Sequence, residues 1–225
     1  MVVQSAPVQE TIAIDPGYRR AKRALDITLT LLLLPFCSVV MLIVAILIRL
    51  DSPGPILFRQ KRIGKDGREF EFLKFRSMYV NNDDSSHRAA IEQFMSGQHL
   101  DGNGRSATPY KLGSDRRITR VGKFIRKTSL DELPQFLNVL RGDMSLVGPR
   151  PPLPYEVDLY SAHDRLRLAG KPGLTGIWQV YGRSCVSFVE MIEMDIEYLQ
   201  KQSLLQDLKL IFLTIPVMLF ARGGA

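Results

Sequence analysis

Cysteine and histidine are scarce in this chain of 225 residues, which has two of the first and three of the second. Cys37 lies in an apolar run and Cys185 far downstream, so they form neither a disulfide framework nor a zinc-binding spacing. His87, His99 and His163 stand in polar surroundings, which argues against a His-based nucleophilic triad. Internal repeats are lacking. No small-residue cleavage site follows the apolar run, and the run is too long for a signal-peptide core. Nucleic-acid motifs are missing too, although the net charge is +7. Such a surface attracts nucleic acid, anionic lipid or phosphorylated small molecules, and charge alone does not choose among them.

What is present starts with residues 27–48, which carry no charge. As a straight helix they extend about 33 Å, enough to cross a bilayer core. Arg19, Arg20, Lys22 and Arg23 precede them; Arg49, Arg59, Lys61, Arg62 and Lys65 follow. Cytoplasmic flanks are normally the basic ones, so neither side looks translocated. Pro35 removes a backbone bond, and Ser38, one turn later, is placed to satisfy freed backbone groups. These features favour a helix that enters, bends and returns to the same face over one that spans.

The expected organisation is a mobile tail over 1–18, a basic flank and re-entrant helix over 19–50, a catalytic domain over 51–203 and an apolar C-terminal helix over 204–225. Asp51-Ser52-Pro53-Gly54-Pro55 turns the chain after the first helix. Residues 56–62 and 69–75 alternate at period two around Lys65-Asp66-Gly67, a hairpin signal. Residues 81–111 are polar with a weak pattern, save a short helical stretch over 88–95. They predict a mobile or partner-dependent excursion, as apt for substrate selection or a lid as for a tolerated insertion. Val121, Phe124 and Ile125 give a short helix an apolar side. Leu133, Phe136, Leu137 and Leu140 predict an amphipathic helix closed by Gly142. Residues 171–176 read as a turn-rich loop. Ser187 and Glu190 form a capping box for a helix whose acids, Glu190, Glu193, Asp195 and Glu197, read as a solvated face. Residues 204–221 either lie along a membrane surface or pack on the domain. The fold class is α+β, mainly helical, with a membrane-embedded re-entrant helix and a small cytoplasmic catalytic domain holding a β-hairpin.

Asp131 and Glu132 stand side by side in Lys127-Thr128-Ser129-Leu130-Asp131-Glu132-Leu133-Pro134-Gln135. One reading is structural: Ser129 and Glu132 match a capping box, or Asp131 is itself the cap. The other is chemical. Two carboxylates near Arg126, Lys127 and Arg150 can hold Mg²⁺, which favours oxygen ligands and substrate phosphates. One of them can instead attack phosphorus to give an acyl phosphate. Pro149 and Pro151 stiffen the segment around Arg150.

These motifs occur together in one family. Lys22-Arg23-x-x-Asp26, Asp51-Ser52-Pro53-Gly54-Pro55, Lys74-Phe75-Arg76-Ser77-Met78, the Asp131-Glu132 motif, residues 142–151 and Pro172-Gly173-Leu174-Thr175-Gly176 come in its order. Over about residues 20–215 the chain resembles the bacterial sugar transferases, the monotopic phosphoglycosyl transferases of the small type. The resemblance implies that Asp131 attacks the sugar-bearing phosphate of a UDP-sugar and releases UMP. A polyprenyl phosphate then takes the phosphosugar at the cytoplasmic face of the bacterial inner membrane, starting a cell-surface glycan. Glu132 works beside Asp131 with Mg²⁺. Arg126, Lys74, Arg150 and Arg183, with Pro149 and Pro151, are the implied substrate contacts. Membrane lipid is a partner, nucleic acid is not, and a homodimer is left open. Where the family commonly has Ser-Pro together at the helix break, this chain has Pro35 and Ser38. A non-catalytic basic module that anchors a complex to anionic lipid is the rival reading; it leaves Asp131-Glu132 unexplained.

Overall fold

The computed structural model of the protein describes residues 12–80, 85–96, 116–182 and 186–220. Helix α1 (Pro16–Asp51) opens on Asp15, whose carboxylate accepts the Tyr18 N–H. Pro16 stands in the first turn, where its missing N–H costs nothing. The helix continues on both sides of Pro35. Ser38 acts differently from expectation. Its hydroxyl donates to the Pro35 carbonyl at 2.7 Å, not to the carbonyl one turn before Pro35 that the proline leaves without a donor.

One stripe of α1 faces the rest of the protein. Asp26, Thr30, Val44 and Ile48 are buried, and Leu34, Cys37, Met41 and Ala45 pack between them. This spacing of three and four is that of one helix face. The other faces are apolar yet exposed, with Leu32 at 63 %, Phe36 at 75 % and Leu42 at 63 %. Both ends of the helix are tied down. At the start, Arg23 donates to the carbonyls of Val139 and Leu140, and Asp26 accepts from the Ser145 hydroxyl and the Leu146 N–H. At the end, Arg76 donates to the carbonyls of Ser52 and Pro53, capping the last turn.

Strands β1 (Leu57–Ile63) and β2 (Glu69–Phe75) form the expected antiparallel hairpin, pairing Leu57 with Phe75 and Ile63 with Glu69. Asp66 and Gly67 take the left-handed conformation that the turn demands, at φ 57° and 77°. Helix α2 (Ser85–Met95) corrects part of the reading of 81–111 as an excursion. Ile91 and Phe94 are buried, and Phe94 meets the ring of Phe188 edge-on at 6.1 Å. The remainder of that segment lies outside the described residues.

Helix α3 (Arg120–Lys127) is capped by the Thr119 hydroxyl. A side chain at Gly122 would collide with the Ser77 carbonyl, so glycine is required there. Ile125 is buried as expected, but Phe124 is 55 % exposed. After the turn that carries Asp131 comes α4 (Gln135–Arg141), closed by Gly142 at φ 91°. Its inner face is Gln135, Phe136, Asn138 and Val139, whereas Leu137 and Leu140 are only half-buried. The buried polar pair displaces the leucine stripe that the sequence suggests.

Strand β3 (Ser145–Val147) leads to α5 (Pro154–Asp158) and then to β4 (Gly173–Thr175), which pairs with β3 in parallel. The turn-rich reading of 171–176 is thereby corrected in part: Gly173–Thr175 within it form the second strand of a small sheet. A π-helical turn, Trp178–Gly182, follows. Helix α6 (Phe188–Lys201) begins with the expected Ser187/Glu190 box. Its acids are not all solvated. Asp195 is buried against Arg167, whose guanidinium also takes up the Tyr160 hydroxyl. Helix α7 (Leu204–Phe220) buries Asp207 and Leu210, while Leu205 and Phe212 remain exposed. It therefore packs on the domain by one face and leaves an apolar one outside.

Candidate active site

Asp131 and Glu132 lie in a single 3₁₀ turn, Leu130–Glu132, between α3 and α4. Ser129 enters that turn in the left-handed conformation, φ 55°, and its side chain caps nothing. Pro134, at the start of α4, offers no cap either. Both structural readings of the acid pair therefore fail, and the carboxylates are free to meet cations. Lys74, near the end of β2, reaches across to them. Its ammonium is 3.1 Å from Glu132 Oε1 and 3.9 Å from Asp131 Oδ2. The side chain of Asp131 is 9 % exposed and that of Glu132 35 %. One acid is thus buried while its neighbour is partly open to solvent.

Burial pushes the Asp131 carboxyl up to about 6. Lys74 pulls the other way, Glu132 adds to the rise, and Arg126 opposes it. Desolvation wins, but not by enough to keep the acid protonated at neutral pH. A buried carboxylate with little hydration is a competent nucleophile. Arg126, in the last turn of α3, has its Nε buried without a partner. A buried donor in that state costs free energy unless something accepts from it, and an anionic substrate oxygen would. Among the described residues no three His, Cys, Asp or Glu side chains come together. The two adjacent carboxylates, converging on one ammonium, are a donor set that fits a cation sharing its other positions with phosphate and water.

Gly148 to Pro152 form a separate, rigid wall. Gly148 N–H donates to Thr175, and the Pro149 carbonyl accepts from Gly173. Arg167 donates to the Arg150 carbonyl at 3.1 Å, Arg62 to that of Pro151 at 3.0 Å, and Ile63 N–H to that of Pro152 at 3.0 Å. Pro149, Pro151 and Pro152 have no N–H to satisfy, so this buried run leaves few backbone groups unpaired. Arg150 is carried on that fixed backbone. The charges that act most on Asp131 are those of Lys74, Glu132 and Arg126. Arg183 lies outside the described residues.

The sequence reading overlooked the polar side chains that hold these parts in place. Asn138, Arg62 and Arg167 are all buried: Asn138 accepts from the Leu73 N–H beside Lys74, Arg62 donates to the Pro151 carbonyl and Arg167 to that of Arg150. Arginine in an ordinary-looking stretch carries no local signal for such a role; only tertiary proximity reveals it.

The acid pair, with Lys74 and Arg126 acting on it, lies on a domain that also carries a long, largely exposed apolar helix. The profile of the bacterial sugar transferases matches residues 17–221, and the chain belongs to that family of enzymes. It is 44 % identical over 205 residues to galactosyl transferase CpsE of Streptococcus agalactiae, covering 91 % of this chain and 43 % of CpsE. It is 42 % identical over 216 residues to the exopolysaccharide production protein ExoY of Sinorhizobium fredii, covering 96 % of this chain and 93 % of ExoY. A third relative is the UDP-glucose:undecaprenyl-phosphate glucose-1-phosphate transferase of Caulobacter vibrioides, 42 % identical over 206 residues, with 88 % of this chain and 69 % of that protein aligned. The chain therefore spans less than half of CpsE but nearly all of ExoY.

Proposed function

We propose that the protein transfers a sugar-1-phosphate from a UDP-sugar to a polyprenyl phosphate, through a covalent phosphosugar on Asp131. The observation that carries the reading is the buried, cation-flanked carboxylate of Asp131, in a chain whose relative from Caulobacter vibrioides is named for this reaction. In the first step an Asp131 oxygen attacks the sugar-bearing phosphorus, and the phosphorus–oxygen bond to UMP breaks. In the second, an oxygen of the polyprenyl phosphate attacks the same phosphorus and returns Asp131 as a carboxylate. Neither attack requires a proton from Asp131, which acts ionised.

Charge balance supports a divalent cation. Lys74 and Arg126 already offset Asp131 and Glu132, so a diphosphate substrate brings negative charge beyond what these four groups balance. Mg²⁺ held by Asp131 and Glu132 would supply the missing positive charge to the phosphate oxygens. Arg126 offers its unpartnered Nε to the same anion. Arg150, with Pro149 and Pro151 around it, and Arg183 are the further substrate contacts that family membership suggests.

The reaction suits the cytoplasmic face of a membrane. The apolar faces of α1 point outward, while one stripe of the helix follows the catalytic domain from Asp26 to Ile48. A helix tied to one domain at both ends cannot deliver those ends to opposite sides of a bilayer. We therefore read α1 as re-entrant, with Pro35 accommodating the bend and α7 adding Leu205 and Phe212 at the interface. Glucose, galactose and N-acetylhexosamine phosphates all remain candidates for the donor. The test is UMP release from a panel of UDP-sugars, with and without a chelator. Release that needs the divalent cation supports the reading, and no release from any UDP-sugar with acceptor present overturns it.

A further inference from the structure

We infer that Asn138 is the positioning residue that holds Lys74 against the acid pair. Among the described residues the hairpin has two strands, and the outer edge of β2 has no third strand beside it. Asn138, which is fully buried, takes that place. Its Oδ1 accepts from the Leu73 N–H at 3.1 Å, and its Nδ2 donates to the Glu71 carbonyl at 2.7 Å. Nδ2 also meets Asp143 Oδ2 at 3.4 Å. The backbone carbonyl of Asn138 accepts from Gly142, Asp143 and Met144, so the same residue closes α4.

One side chain thus joins the strand that carries Lys74 to the helix that follows Asp131 and Glu132. Leu73 directly precedes Lys74, and α4 begins three residues after Glu132. Phe72 fixes the other side: its ring lies 5.5 Å from the Lys74 ammonium and is itself in the core. The ammonium is consequently held nearer to Glu132 than to Asp131, at 3.1 and 3.9 Å. That offset leaves Asp131 stabilised by charge without tying up the oxygen that must attack. A carboxamide is needed for this, because it presents an acceptor and a donor on one planar group; aspartate lacks the donor and an apolar side chain lacks both.

The inference rests on the proposed reaction only where activity is the readout, so the experiment has a second arm. Asn138→Ala, Lys74→Ala and the double variant are made in the full chain in detergent. Asn138→Asp is the second variant: it keeps the acceptor for Leu73 and removes only the donor to Glu71 and Asp143. First, an amine-acylating reagent is applied and modification of each lysine is followed by peptide mass spectrometry. Lys61, on the same hairpin and 76 % exposed, and Lys201 on α6 are the internal references. Lys74 should react several-fold faster in the Asn138 variants, with Lys61 and Lys201 unchanged. Second, UMP release is measured. An Asn138 substitution should lower kcat by about tenfold to a hundredfold with little change in KM. The double variant should lose no more than Lys74→Ala alone, because both act through one ammonium. An unchanged rate at Lys74, equal acceleration at Lys61, or losses that add in the double variant would each overturn the role of Asn138. If the wild-type protein releases no UMP, the reaction is wrong, and lysine labelling still decides the inference.

Discussion

Replacing Asp131 by asparagine should abolish activity and at the same time stabilise the fold. The reasoning starts from burial. The carboxyl titrates near 6 in the folded protein against 3.8 when unperturbed, so its ionised form is disfavoured inside. A group whose folded value is raised leaves stability intact below about 3.8 and removes it as pH rises through about 6. The whole difference corresponds to about 3 kcal/mol above pH 6. Lys74 has Glu132 at 3.1 Å, so its ammonium keeps a carboxylate partner in the variant. Allowing for an amide that fits the site less well, Asp131→Asn should gain about 1–3 kcal/mol at pH 7.5. For a chain of this size that is a rise in Tm of about 2–10 °C. The assay is thermal unfolding in detergent across pH 4 to 8, paired with UMP release. The gain should shrink toward pH 4, where the wild-type carboxyl is protonated too. A variant that is less stable than wild type at pH 7.5, or whose advantage grows toward pH 4, would refute the claim that a buried charge is held there at the expense of stability.

Arg126→Lys keeps the charge but loses the buried Nε; kcat/KM for the UDP-sugar should fall about tenfold to a hundredfold, and an unchanged value would remove Arg126 from the substrate contacts. Asp195→Asn leaves the buried Arg167 charge without its partner and should cost about 3–5 kcal/mol, read as a lower Tm. Activity should drop with it, because Arg167 also holds the Arg150 carbonyl. For topology, a cysteine placed at Ser5 in a Cys37→Ser, Cys185→Ser background should resist an impermeant thiol reagent in intact cells and react after lysis; labelling in intact cells would show that α1 spans.

Much of this was legible in the sequence wherever the signal was local. The β1–β2 hairpin followed from alternation and an Asp-Gly turn, and the start of α6 from the spacing of Ser187 and Glu190. The Asp131-Glu132 pair stood out by composition. What escaped was tertiary. Asp195 shares a helix with acids that are solvated, and only its meeting with Arg167 buries it. The β3–β4 pairing is three residues long and joins segments 28 apart, too short for periodicity to show. Ile91 and Phe94 gave the 81–111 segment too few apolar positions to betray a docked helix. Arg76 reads as a cation at a strand end, yet its work is to cap α1. The helix face of α4 was misjudged because Asn138 and Gln135, polar by type, take the buried positions.

The central claim is that Asp131 carries the phosphosugar, and one measurement meets it directly. The protein is mixed with UDP-sugar and Mg²⁺ without any polyprenyl phosphate, quenched in acid, digested and analysed by mass spectrometry. The account predicts a phosphosugar on the peptide that contains Asp131, formed together with UMP and discharged when polyprenyl phosphate is added before the quench. A phosphosugar attached to any other residue, or UMP and lipid-linked sugar formed with no adduct ever detectable on Asp131, would contradict it.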